Sequence, residues 1–146
     1  MLQIQASQSG YPRNPPERRG AGQRAWKTAS PKKVLIVEDD LDAVRAFEAL
    51  LVDMGHTVEY AINGYVALDI AKRFRPDFIF LDLGLPGLSG FDVCSRLKAE
   101  PGFEKTRIIA VTAYGQDEMR VRARAAGCEM HLLKPVPPQV IEQLLG

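Results

Sequence analysis

Apolar and polar positions change rhythm at Lys32. Downstream of it, short unbroken apolar runs alternate with longer stretches in which apolar residues return every three or four positions. Val34-Leu35-Ile36-Val37 is a continuous run ending in acids, a pattern that suits a strand buried on both faces. Between residues 41 and 54, Val44, Phe47, Leu50, Leu51 and Met54 share one helical face, and Gly55 follows as a stop. Residues 57–61 read as a second strand. Asn63 can cap a helix running to about Phe74, with Val66, Ala67, Ile70 and Ala71 inward, and Pro76 then breaks the chain.

Residues 78–81 form the next apolar run, which enters a Gly/Pro-rich loop from Gly84 to Gly90. Phe91, Val93, Cys94 and Leu97 mark a helix that ends before Pro101. A fourth strand is predicted over 107–111, a more polar helix over 116–126, a fifth strand over 128–133 and a closing helix over 138–145. Five strands alternating with five helices predict an α/β domain with a parallel sheet and helices on both faces.

Residues 1–31 lack this rhythm. They contain Pro12, Pro15, Pro16 and Pro31 and show no sustained apolar period. Such a stretch buries too little surface to offset the entropy of ordering it. The expectation is a disordered basic extension or linker over 1–31, with Trp26 in an unstructured role, followed by one folded domain over 32–146. Charge sharpens the division: the first 31 residues carry a net +4 within a chain of +1, so the folded part is mildly acidic. Five basic residues scattered among Gly, Pro, Ser and Gln read as a solvated extension, not as a nucleic-acid or lipid contact.

Cys94 and Cys128 are the two cysteines, and they fit neither a disulfide framework nor a CxxC motif. Reduced thiols and a cytoplasmic location are expected. No apolar run approaches the ~18–20 residues that span a bilayer, and the N-terminus has no signal-peptide core.

Chemistry collects at strand ends. In open α/β sheets, sites form beyond the carboxyl ends of the strands, where strand order reverses. The first strand runs into Glu38-Asp39-Asp40, the third into Asp82, the fourth into Thr112 and the fifth into Lys134. Carboxylates crowded at one edge raise one another's pKa unless a cation opposes them, and hard oxygen ligands suit Mg2+. Thr112 can donate a hydroxyl hydrogen bond, and Lys134 can pair with a phosphoryl oxygen. A nucleophile, a metal and donors for equatorial oxygens are what phosphoryl transfer to a carboxylate requires. Asp40, beside the acid pair, reads as a helix N-cap.

Four segments together resemble the receiver domain of two-component response regulators: Val34 to Asp40, Phe80 to Gly90, Val111-Thr112-Ala113 and Leu133-Lys134-Pro135. The resemblance covers residues 32–146 and implies a flavodoxin-like doubly wound sheet of strand order 2-1-3-4-5. It implies that Asp82 is phosphorylated by a histidine kinase or histidine phosphotransfer protein, without conventional enzyme turnover. Asp39 would bind Mg2+ (or Mn2+) directly, with Glu38, Asp82 and the Gly84 carbonyl completing the metal set. Thr112, Ala113 and Lys134 would contact the phosphoryl group, and Pro135 would follow a cis peptide bond. Output would pass through the fourth helix, fifth strand and fifth helix, a face that could also join two copies, and the downstream target stays unnamed.

Two positions depart from the family pattern. His131 stands where the family often has a rotating Tyr or Phe, and Val136 where an aromatic often follows the Lys-Pro pair. His131 is the candidate switch; His56, before the second strand, reads as structural. Gly84 and His131 also resemble receivers attached to hybrid sensor kinases. The competing functional class is a binding module that keeps the fold but signals without phosphorylation. A metal-dependent phosphatase usually has a second acid two residues after its nucleophile, where this chain has Gly84. Helix five ends almost at the last residue, so direct nucleic-acid binding by a second domain is not expected.

Overall fold

In the computed structural model, residue 26 and residues 30–146 are described. Their elements are β1 (Lys33–Val37), α1 (Leu41–Asp53), β2 (Thr57–Ala61), α2 (Gly64–Phe74), β3 (Phe78–Asp82), α3 (Gly90–Ala99), β4 (Arg107–Thr112), α4 (Asp117–Ala126), β5 (Met130–Leu133) and α5 (Pro138–Leu145). All five strands pair in parallel, in the order β2-β1-β3-β4-β5.

Alternation along the strands decides the layering, because successive side chains leave a strand on opposite faces. Leu35, Val37, Ile79, Leu81, Ile108 and Ala110 point into one core, where Ala67, Ile70, Val93, Leu97 and Ala123 of α2, α3 and α4 cover them. Val34, Ile36, Phe78, Phe80 and Ile109 point the other way, under Val44, Leu50 and Leu51 of α1 and Ile141 and Leu145 of α5. Burial on both faces explains why β1 and β3 are unbroken apolar runs. The edge strand β2 is half-polar for the converse reason.

The caps follow local chemistry. Asp40 accepts the amides of Asp42 and Ala43, and Asn63 accepts that of Val66, satisfying donors that a helix start leaves unpaired. Gly127 ends α4 at φ +108, a left-handed conformation that a Cβ would strain. That cap consumes Cys128 and Glu129 in the turn, so β5 begins at Met130, two residues later than the periodicity predicts.

Trp26 departs from the expectation of an unstructured role. It is buried against the α1/α5 core, and its indole Nε1–H donates to Asp53 Oδ2 at 2.7 Å. A large aromatic with one polar atom is docked when that atom finds an acceptor, and Asp53 at the end of α1 provides it. The expectation of disorder over the rest of residues 1–29 lies outside the described residues. Among the described residues, no helix is long and apolar enough to cross a membrane.

Candidate functional site

The strand order reverses between β1 and β3, and the carboxyl ends of these two neighbouring strands carry the acids. Glu38 and Asp39 follow β1 and Asp82 ends β3. One carboxylate oxygen from each of Glu38, Asp39 and Asp82 lies within 4.8 Å of the others. Three acids at this spacing repel one another, and the described structure places one cation among them. Lys134 Nζ donates to Glu38 Oε1 at 2.6 Å and to Asp82 Oδ2 at 3.3 Å. The Lys134–Pro135 peptide bond is cis.

Several backbone contacts aim these groups. Gly84 N–H donates to Asp82 Oδ1 at 2.8 Å, and Asp40 N–H to Glu38 Oε2 at 3.1 Å. Glu38 N–H is itself held by the Ala61 carbonyl at 3.0 Å, which continues the β1–β2 ladder one residue into the site. Gly90, the first residue of α3, sits so close behind Asp82 that a Cβ there would lie 2.5 Å from the Asp82 carbonyl oxygen. Only a glycine lets the start of α3 approach the strand end this closely.

Burial and charge oppose each other at Glu38. The side chain is mostly buried, and desolvation raises its pKa despite the Lys134 ammonium beside it. Burial alone would lower the Lys134 pKa, but the adjoining Glu38 and Asp82 carboxylates together hold it above the usual lysine value. The site also opens onto a cavity of about 470 Å3 between α1 and α5, whose apolar wall includes Ala43, Phe47, Phe80, Val136 and Ile141.

The remaining expected site residues fall in two groups. Thr112 is fully buried at the end of β4, where its Oγ1 accepts the Tyr114 N–H at 3.2 Å; Ala113 follows it in an exposed turn. His131 stands apart, on β5 opposite Ala110. Both of its ring nitrogens are buried without a hydrogen-bond partner among the described residues, and burial, with Arg120 nearby, lowers its pKa. His56 is structural, as expected: its Nδ1 accepts the Lys32 N–H at 3.0 Å at the opposite end of the sheet.

Two site contacts escape a reading by residue type. The Gly84 amide is a backbone group, signalled only by the tendency of Asp to bond the amide two residues on. The Lys134–Glu38 pair joins residues 96 positions apart, and no local pattern reports it.

Comparison with known proteins gives a consistent answer. The family model for the response regulator receiver domain matches residues 34–145. The polar-differentiation response regulator DivK of Brucella anthropi is 37% identical over 115 residues, covering 78% of this chain and 94% of DivK. Among solved structures, the chemotaxis protein CheY4 of Vibrio cholerae superposes with a TM-score of 0.75 at 28% identity, over 80% of this chain and 97% of that one. The receiver domain of the sensor histidine kinase PA1611 from Pseudomonas aeruginosa, described with a magnesium ion coordinated in its active-site cleft, gives 0.73 at 29% identity, over 80% and 95%. Fold, strand order and family match agree over the same stretch of sequence, and the chain belongs to the response regulator receiver domain family of two-component signalling.

Proposed function

We propose that Asp82 accepts a phosphoryl group from a phosphohistidine on a histidine kinase or histidine phosphotransfer protein. The observation that carries this reading is the three-carboxylate cluster with Lys134 bridging Glu38 and Asp82. In the transfer, the phosphorus–nitrogen bond to the donor imidazole breaks and a phosphorus–oxygen bond to an Asp82 carboxylate oxygen forms. Catalysis of such a step is mainly positioning and charge stabilisation.

The donor set fits Mg2+, a hard cation that takes one or two carboxylates, waters and a phosphate oxygen. Glu38, Asp39 and Asp82 would hold it, with the Gly84 carbonyl as the further ligand that the family pattern implies. The ion would neutralise charge developing on the transferred group. Lys134 would move from a purely carboxylate environment to share its charge with a phosphoryl oxygen, and the Gly84 amide keeps Asp82 oriented meanwhile. The Thr112 hydroxyl and the chain at Ala113 would meet the equatorial oxygens.

Output would pass through β5 and α4. Thr112 pairs with Leu133 in the sheet register, two residues from His131. A ring with two unsatisfied buried nitrogens is poorly settled in its pocket, which supports His131 as the group that changes position. Exposed Tyr114, Val121 and Leu133 supply an apolar surface beside it for a downstream protein or a second copy.

Incubation with acetyl phosphate and Mg2+, followed by intact mass measurement, tests the reading. One added phosphoryl group is expected, with none on Asp82→Asn. An unchanged wild-type mass, or an undiminished gain in Asp82→Asn, would overturn it.

A further inference from the structure

Cys94 and Cys128 are far apart in sequence and play no part in the site, yet their sulfurs lie 3.3 Å apart inside the α2/α3/α4 core. Cys94 belongs to α3, and Cys128 to the turn between α4 and β5. The left-handed cap at Gly127 brings this turn onto α3: a Cβ at Gly127 would lie 2.8 Å from Lys98 Cγ and 3.6 Å from Cys94 Sγ. Lys98, one helical turn beyond Cys94, is held across this corner by the carbonyls of Phe103 and Thr106.

We propose that Cys94 and Cys128 form a redox-sensitive modification site, which hydrogen peroxide converts to an intramolecular disulfide joining α3 to the turn before β5. The sulfurs need to close by only about 1 Å to reach bonding distance. Cys128 donates to Cys94 and Lys98 lies beside the pair, so either sulfur can attack an oxidant while its neighbour resolves the product.

The electrons balance in two steps. With Cys94 as the attacking sulfur, its thiolate attacks one peroxide oxygen, the O–O bond breaks, Cys94 becomes a sulfenic acid, and the departing hydroxide takes up the proton the thiol released, giving the first water. The Cys128 sulfur then attacks the Cys94 sulfur, an S–S bond replaces the S–O bond, and the departing hydroxyl takes the Cys128 proton as water. One peroxide is reduced to two waters for each disulfide formed. Both thiols are buried, so a small oxidant reaches them more readily than a bulky disulfide does. The link would tie the C-terminal end of α4 to α3 and restrain the helix that carries Arg120 and Val121.

The test treats the reduced, folded chain with hydrogen peroxide, denatures it, blocks remaining thiols with maleimide and measures intact mass. The expected product has lost two hydrogens, carries no maleimide, regains two reactive thiols after dithiothreitol, and yields a cross-linked peptide containing Cys94 and Cys128. Cys94→Ser and Cys128→Ser should each abolish the two-hydrogen loss. Two maleimides on the treated wild type, oxygen addition alone, or cross-linking only between chains would overturn the proposal, and these readouts stand even where a serine variant folds poorly. Amide exchange across residues 117–126 should slow in the cross-linked chain; unchanged exchange would overturn the restraint on α4.

Discussion

The two ends of the sheet solve the same local problem in opposite ways. At the amino end of the strands, polar groups meet partners of opposite character. Lys32 N–H meets His56 Nδ1, Lys33 N–H meets Asp77 Oδ2, the Thr106 hydroxyl donates to the Pro76 carbonyl, and Trp26 donates to Asp53. Arg107 forks onto Glu129 alongside them. At the carboxyl end, three carboxylates face one ammonium, and a buried Thr112 and an unsatisfied His131 lie on the adjoining strands. One end is closed by satisfied contacts, while the other keeps a surplus of negative charge that an added cation would neutralise. That surplus marks the functional edge more clearly than any single acid does.

The sharpest break between the ends is at Asp82. Asp82→Asn should abolish phosphoryl uptake from acetyl phosphate while leaving the urea unfolding midpoint close to that of the parent, since it removes no packed apolar group. Lys134→Ala should slow uptake about tenfold to a hundredfold, the kinetic equivalent of one hydrogen bond to a charged group. Single-turnover phosphorylation followed by mass measurement reads this, and an unaltered rate would remove Lys134 from the site.

At the other end the expected effects fall on stability. Trp26→Ala should cost about 3 kcal/mol, as truncation of a buried aromatic does, and the folded variant should still take up phosphate at the parental rate. Urea titration measures the loss. Because Trp26 is the only tryptophan, the parent's emission should be blue-shifted and shielded from acrylamide, and Asp53→Ala should weaken that shielding.

The smallest effect is a pH dependence at His56. Burial, and secondarily Lys32, lower its pKa below the ordinary value of 6.5, and the neutral ring accepts the Lys32 N–H. The unfolded chain therefore takes up the proton first. The stability contributed is complete above pH 6.5 and is lost as pH falls through the depressed folded value. His131 acts in the same direction, so the informative quantity is the difference between parent and His56→Gln. The variant's unfolding midpoint should fall less steeply between pH 7.5 and 5.5, and equal slopes would assign the dependence elsewhere.

Much of this molecule is legible in residue order. Unbroken apolar runs locate β1 and β3 because strands buried on both faces admit few polar residues, and Asp40 and Asn63 announce their helices because a cap needs a short acceptor side chain. The acids, Thr112 and Lys134 stand out because each lies directly at a strand end, and resemblance to a family orders them. Trp26 was not legible: its neighbours have no periodicity, and its acceptor Asp53 lies 27 residues away. β5 starts later than the apolar pattern predicts because the Gly127 cap draws Cys128 into the turn.

By itself, then, the sequence determined the alternation of elements, the family and the residue types available at each strand end, all of which rest on short-range chemistry. Only the tertiary structure decided which groups meet. Lys134 folds back across 96 residues onto Glu38, Gly90 brings α3 against Asp82, Trp26 closes on Asp53, and Cys94 touches Cys128. Such contacts depend on the register and close packing of a whole sheet and its helices, and packing is a property of surfaces brought together, not of neighbours along the chain.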